Sequence, residues 1–211
     1  MKPTVKNDFG FYSILTDPLR GYDYLANLLV EREVAFLQLR MKDCDKFKIL
    51  KTAENIRKIT QNSKTLFIMN DFIDIAQDCG ADGVHLGQDD EKCELARSIL
   101  GNNAIIGLST HNIEQTKAAQ SEKIDYIGIG PVYPTPTKNI PDPVLGLVKM
   151  KEMLDASALA SVCIGGIDLE RIKEVLQAGA KNFCVVRLLN KSEYPKKTLD
   201  EILKIRDFVA N

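Results

Sequence analysis

Short apolar runs alternate with longer amphipathic stretches from one end of the chain to the other. The runs are FYSILT (11–16), FLQLR (36–40), LFIMN (66–70), GVHLG (83–87), AIIGLST (104–110), YIGIG (126–130), SVCIGG (161–166) and NFCVVR (182–187). Most are apolar throughout, as expected of parallel strands covered on both faces. Between them, stretches such as DYLANLLVERE, KILKTAENIRKI, NIEQTKAAQ, DLERIKEVLQAGA and TLDEILKIRDFVA carry the apolar spacing of helices. No linker, low-complexity tract or charge block divides the chain. The pattern predicts a single (β/α)8 barrel over residues 1–211, with a doubly wound open sheet as the fallback.

Composition narrows the picture without changing it. The 211 residues carry 28 Lys+Arg against 29 Asp+Glu, a net charge of −1, which points to no nucleic-acid footprint. No apolar run approaches the roughly 20 residues of a membrane span, and MKPTVKNDFG lacks a signal-peptide core. The five cysteines form no C-x-x-C pair and read as reduced, mostly buried thiols, so a cytoplasmic location is expected. Two histidines make a His-rich zinc site a poor expectation. Monomer and homodimer are both left open.

In a barrel all strand C-termini gather at one mouth, where active sites form. The residues at these ends are chemically rich. Gln38, Arg40 and Lys42 alternate along the second strand and its exit, and suit an anion with several oxygens. A salt-bridged rim is the competing explanation. Asn70-Asp71 and Gln88-Asp89-Asp90 end the third and fourth strands with hard oxygen ligands. Asp71 and Asp90 should therefore be neighbours, and one or two carboxylates beside substrate phosphates suit Mg²⁺. Helix capping is the bland alternative for each acid.

After the fifth strand, Ser109 offers a hydrogen bond to substrate, Thr110 a candidate N-cap, and His111 a helix start. Without a G-x-S-x-G elbow a serine nucleophile is rejected. In YIGIGPVYPTPTK, Gly128 and Gly130 are expected to leave room for a ligand against the backbone. A proline-stiffened loop then presents Thr135, Thr137 and Lys138. Gly165 and Gly166 after the seventh strand, and Val186 and Arg187 ending the eighth, occupy the usual phosphate-binding corner of this fold. Two anion pockets, one metal-assisted and one metal-free, would accept two phosphorylated substrates.

Taken in order, QLRMK, ND, GADGVHLGQDD, IIGLSTH, YIGIGPVYPTPTK and IGGI resemble the motifs of the thiamine phosphate synthase family, over about residues 11–188. The resemblance implies a (β/α)8 enzyme that joins hydroxymethylpyrimidine diphosphate to thiazole phosphate and releases diphosphate. It implies pyrimidine and diphosphate contacts at Gln38, Arg40, Lys42, Asn70, Ser109 and Lys138, with Mg²⁺ on Asp71 and Asp90. Thiazole phosphate contacts would be Thr135, Thr137 and the Gly166 backbone. In that mechanism departing diphosphate leaves a pyrimidine-stabilised cation, so Arg, Lys and Mg²⁺ charge matters more than a strong base. Two positions depart from the family pattern. Met41 stands where Glu is common, on a side chain that should face away, and Arg187 replaces a Ser near the thiazole phosphate. A thiazole tautomerase-like relative and a non-catalytic barrel that binds thiamine phosphates are the alternatives.

Overall fold

The computed structural model describes residues 5–135 and 142–210. Eight parallel strands close into a barrel in sequence order: β1 (Phe11–Leu15), β2 (Phe36–Leu39), β3 (Leu66–Asn70), β4 (Gly83–Leu86), β5 (Ile105–Thr110), β6 (Tyr126–Ile129), β7 (Ala160–Ile164) and β8 (Asn182–Val185). Closure runs through the β1–β8 pairing of Phe11 with Phe183 and Tyr12 with Cys184. The single-domain barrel is as expected, and the open-sheet fallback is excluded.

The helices are α1 (Tyr22–Glu31), α2 (Lys46–Thr60), α3 (Ile73–Cys79), α4 (Cys93–Leu100), α5 (Ile113–Ala119), α6 (Gly146–Asp155), α7 (Leu169–Gln177), α8 (Arg187–Asn190) and α9 (Pro195–Ala210). Three of them, α2, α5 and α7, start on short polar side chains that take up otherwise orphaned N–H groups. Asp45 accepts from Lys48 N, Asn112 from Gln115 N and Asp168 from Arg171 N. Thr110 is therefore no cap: it is buried on β5, and its hydroxyl donates to the Gly128 carbonyl.

Alternation along the strands sorts the apolar residues into two sets. Leu15, Leu37, Leu39, Phe67, Met69, Val84, Ile127 and Phe183 pack outward against the helices. Met41 joins this outer layer at 4% exposure, which bears out its facing away from the mouth. Tyr12, Phe36, Ile68, Ile105, Tyr126, Val162 and Cys184 fill the barrel interior.

The end opposite the mouth is pinned by side chains at the entries of β4, β6 and β8. Asp82 accepts the N–H of Phe67 and pairs with Arg57. Asp125 accepts the N–H of Ile106 and pairs with the buried Arg97, whose other donors reach the carbonyls of Lys123, Gly101 and Ala104. Asn182 accepts from Phe9 and Gly10 and donates to Asn7 and Ser161. Each joins one strand entry to its neighbour's.

Most strand ends fall within one or two residues of the apolar runs, and one shift bears on the site. β8 stops at Val185, and Arg187 opens the short helix α8 instead of ending a strand. Asn190 holds that helix to the first strand: its amide donates to the carbonyls of Ile14 and Val186, while its oxygen accepts from Thr16 N.

Candidate active site

The mouth opens into a cavity of about 470 Å³. Gln38, Arg40, Asn70, Ser109, Thr135, Gly165, Gly166, Val186 and Arg187 all line it. Strand ends widely separated in sequence thus converge as expected. Thr137 and Lys138 lie outside the described residues.

On one rim Asp71 and Asp90 come together. Asp71 is forced into a left-handed backbone conformation (φ 65°), which short polar residues tolerate better than most. Its main-chain N–H donates to the carbonyl of His85, its carboxylate pairs with Lys42 Nζ at 3.1 Å, and Asp90 lies within hydrogen-bonding reach. Burial, and then the Asp90 carboxylate, push the Asp71 carboxyl above its ordinary 3.8, against the opposing pull of Lys42. Asp90 is itself aimed by Gly87 N–H, which donates to Oδ2 at 2.6 Å. Neither acid caps a helix: α3 begins after Phe72 and α4 after Lys92, without side-chain caps. The capping alternative fails for both.

Two carboxylates crowded together are stabilised by a shared proton or a cation. Among the described residues no group of three or more His, Cys, Asp or Glu side chains could hold a metal. A protein-only cage is thus absent there. Two oxygen ligands with open positions suit a hard dication that completes its shell with water and phosphate.

On the opposite rim the Gly165-Gly166 turn follows β7. Both glycines have positive φ, and a Cβ on Gly166 would stand 2.5 Å from the Pro134 carbonyl, so only glycine lets this turn press against the loop after β6. Arg171, in the first turn of α7, donates from Nη1 to the Gly166 carbonyl at 2.7 Å and lies 4.6 Å from the ring centroid of Tyr133. Tyr133 donates its phenol proton to Glu174 at 2.6 Å. Arg187 is exposed at the cavity edge. The glycine-rich turn therefore has two cations beside it, of which sequence reading had singled out only Arg187.

Gly128 in β6 and Gly130 just after it line the cavity, as expected, and have a second role as well. A Cβ on Gly130 would meet the Ile164 carbonyl at 2.3 Å, and one on Gly128 would meet the His85 ring at 3.3 Å. They make room for the neighbouring strand and for an imidazole as well as bordering the cavity. In register, His85 stands beside Gly107 and Ser109 beside Gly128. That leaves space for the His85 ring to lie across the floor, with Nδ1 2.9 Å from Tyr126 Oη and Nε2 2.9 Å from Ser109 Oγ. His85 was missed in sequence because it sits within an apolar run, although glycine on two neighbouring strands was a usable signal. His111 also lines the mouth: its N–H is held by Gln115, Nδ1 meets the Gly130 carbonyl at 2.6 Å, and Nε2 lies 3.6 Å from Asp142. It does more than start a helix.

Comparison with known proteins agrees with this arrangement. The family model for thiamine monophosphate synthase matches residues 17–189. The thiamine-phosphate synthase of Caldicellulosiruptor bescii is 36% identical over 86% of this chain and 83% of its own length. That of Methanococcus vannielii is 38% identical over 95% of this chain and 98% of its own. Among solved structures, thiamine phosphate pyrophosphorylase from Pyrococcus furiosus superposes with a TM-score of 0.88 at 28% identity, covering 97% of this chain and 98% of that one. No helix among the described residues is long and apolar enough to cross a membrane. Family match, relatives and fold converge, and the chain belongs to the thiamine monophosphate synthase family, transferases of thiamine biosynthesis.

Proposed function

We propose that the mouth binds hydroxymethylpyrimidine diphosphate against Gln38, Arg40, Lys42, Asn70 and Ser109, and thiazole phosphate against Thr135 and the Gly165-Gly166 turn. The observation that carries this reading is the meeting of Lys42, Asp71 and Asp90 beyond the ends of β2, β3 and β4, on the far side of the closed barrel from the glycine turn after β7. Magnesium, when bound to Asp71 and Asp90, supplies positive charge to the departing diphosphate. Arg40 and Lys42 steady the same oxygens, Arg40 by paired N–H donors and Lys42 as a point charge. Thr137 and Lys138, which lie outside the described residues, are assigned to the remaining substrate contacts by the family resemblance alone. Ile14, Val162 and Ile164, which line the cavity, would help keep water from a reactive pyrimidine cation until the thiazole nitrogen attacks.

A tautomerase would have no use for a carboxylate pair beside a lysine, so the observations favour the synthase chemistry. A single-turnover assay with both substrates tests it. Formation of thiamine phosphate and diphosphate, dependent on added Mg²⁺, is expected. Binding of both substrates without product would leave a non-catalytic barrel.

A further inference from the structure

Below the cavity, five side chains from five strands form one continuous hydrogen-bonded line. Gln38 Nε2 is 2.9 Å from Tyr12 Oη, and Tyr12 Oη is 2.8 Å from Tyr126 Oη. Tyr126 Oη is then 2.9 Å from His85 Nδ1, and His85 Nε2 is 2.9 Å from Ser109 Oγ. Both tyrosines are fully buried, and burial raises their phenols far above the ordinary range, so each keeps its single proton.

We propose that Tyr12, Tyr126 and His85 are positioning residues forming a one-way relay, which fixes the Ser109 hydroxyl as a hydrogen-bond donor into the cavity. The direction follows from counting protons. Gln38 gives an N–H to the buried Tyr12, whose own proton would be stranded without an acceptor unless it goes to Tyr126. Tyr126, already accepting, sends its proton to His85 Nδ1, which must then be bare. The imidazole carries its proton on Nε2 and gives it to Ser109 Oγ. With that oxygen accepting from behind, the Ser109 proton is free to meet an acceptor atom of the ligand. The opposite direction would make Ser109 donate backward to His85 and present only an acceptor to the cavity. Gln38 and Ser109, on opposite sides of the floor, are thus coupled: one amide orientation sets the polarity of a hydroxyl three side chains away. The consequence for catalysis rests on the proposed pyrimidine diphosphate pocket; the proton positions do not.

Nitrogen NMR of isotope-labelled histidine in the untagged, full-length protein tests the relay directly. The sequence holds only two histidines, so two rings appear. His111 is the built-in reference, because its Nδ1 must hold a proton to donate to the Gly130 carbonyl. His85 is expected to show the reverse, a proton on Nε2 and a bare, hydrogen-bonded Nδ1. A proton on His85 Nδ1, alone or together with Nε2, overturns the proposal. The functional arm is Tyr12→Phe, which removes a hydroxyl that lies two side chains from Ser109. It should raise KM for the pyrimidine diphosphate about fivefold, the usual worth of one lost hydrogen bond, and leave KM for thiazole phosphate unchanged. An equal rise for both substrates would reduce the tyrosine to packing and sink its positioning role. If no turnover occurs at all, the assigned reaction fails while the histidine spectrum still decides the relay.

Discussion

The main-chain N–H of Asp71 donates to the carbonyl of His85 at 2.9 Å, tying the exit of β3 to β4. The carboxylate that pairs with Lys42 is thereby carried on the strand end next to the one that aims Asp90. Asp71→Asn and Asp90→Asn should each lower turnover severely while the barrel stays folded, because both acids lie at the mouth. Titration of activity against Mg²⁺ checks this. Near-normal turnover of both variants at saturating Mg²⁺ would dismiss the metal assignment.

The raised carboxyl of Asp71 also has a pH signature. In the folded protein it holds its proton above the ordinary 3.8, so folding takes up a proton in the window between 3.8 and the higher folded value. Its contribution to stability is fully present below 3.8 and is lost as pH rises through the folded value. Without divalent cations, wild type should lose stability relative to Asp71→Asn as pH climbs through that window. Denaturant midpoints of the two proteins across pH would show it, and parallel profiles would contradict it. Added Mg²⁺ should flatten the difference by replacing the proton.

Arg40 is expected to hold the departing diphosphate. Losing such a charge-assisted contact costs about 2–4 kcal/mol at the transition state, or roughly thirty- to thousand-fold in kcat/KM. Arg40→Ala should show that loss with the pyrimidine diphosphate varied. An effect confined to thiazole phosphate would mean that the two pockets are exchanged.

The two cations beside the glycine turn should behave differently. Arg171 is fixed between the Tyr133 ring and the Gly166 carbonyl, so Arg171→Ala should loosen the turn and raise KM for thiazole phosphate about tenfold. Arg187 is exposed on the first turn of α8, and Arg187→Ser should leave that KM within about twofold. Steady-state kinetics with thiazole phosphate varied separates them, and a tenfold rise for Arg187→Ser would show that its side chain reaches the phosphate.

At the opposite end, Asp125→Ala would leave the Arg97 guanidinium buried without its carboxylate. A loss of about 3 kcal/mol, on the order of 10 °C in melting temperature, is expected with substrate KM values unchanged. Calorimetry together with kinetics checks both halves of that statement.

Much of this was legible in the sequence because the fold converts strand order directly into proximity. Once the apolar runs from FYSILT to NFCVVR were read as eight parallel strands, the closeness of Asp71 to Asp90, and of Gly166 to Val186, followed from closure alone. What could not be read were relations across the barrel. Tyr12 and Tyr126 look like ordinary core residues until the interior brings their hydroxyls to 2.8 Å, and nothing local links His85 to Ser109. The second role of Gly128 and Gly130 was hidden for the same reason, since the groups that need their space belong to other strands. Arg187 was put on a strand because VVR continues an apolar run, whereas Asn190 draws the chain into a helix by binding the carbonyls of Ile14 and Val186.

The pins at Asp82, Asp125 and Asn182 have a consequence for how this barrel can change. They fasten the strand entries of β3 to β4, β5 to β6 and β8 to β1 using groups that never approach the cavity. Closure of the cylinder is therefore secured at its base, and the loops at the other end are released from holding it shut. Such a molecule can lengthen, shorten or recompose those loops, and so trade one phosphorylated substrate for another, while its foundation stays untouched.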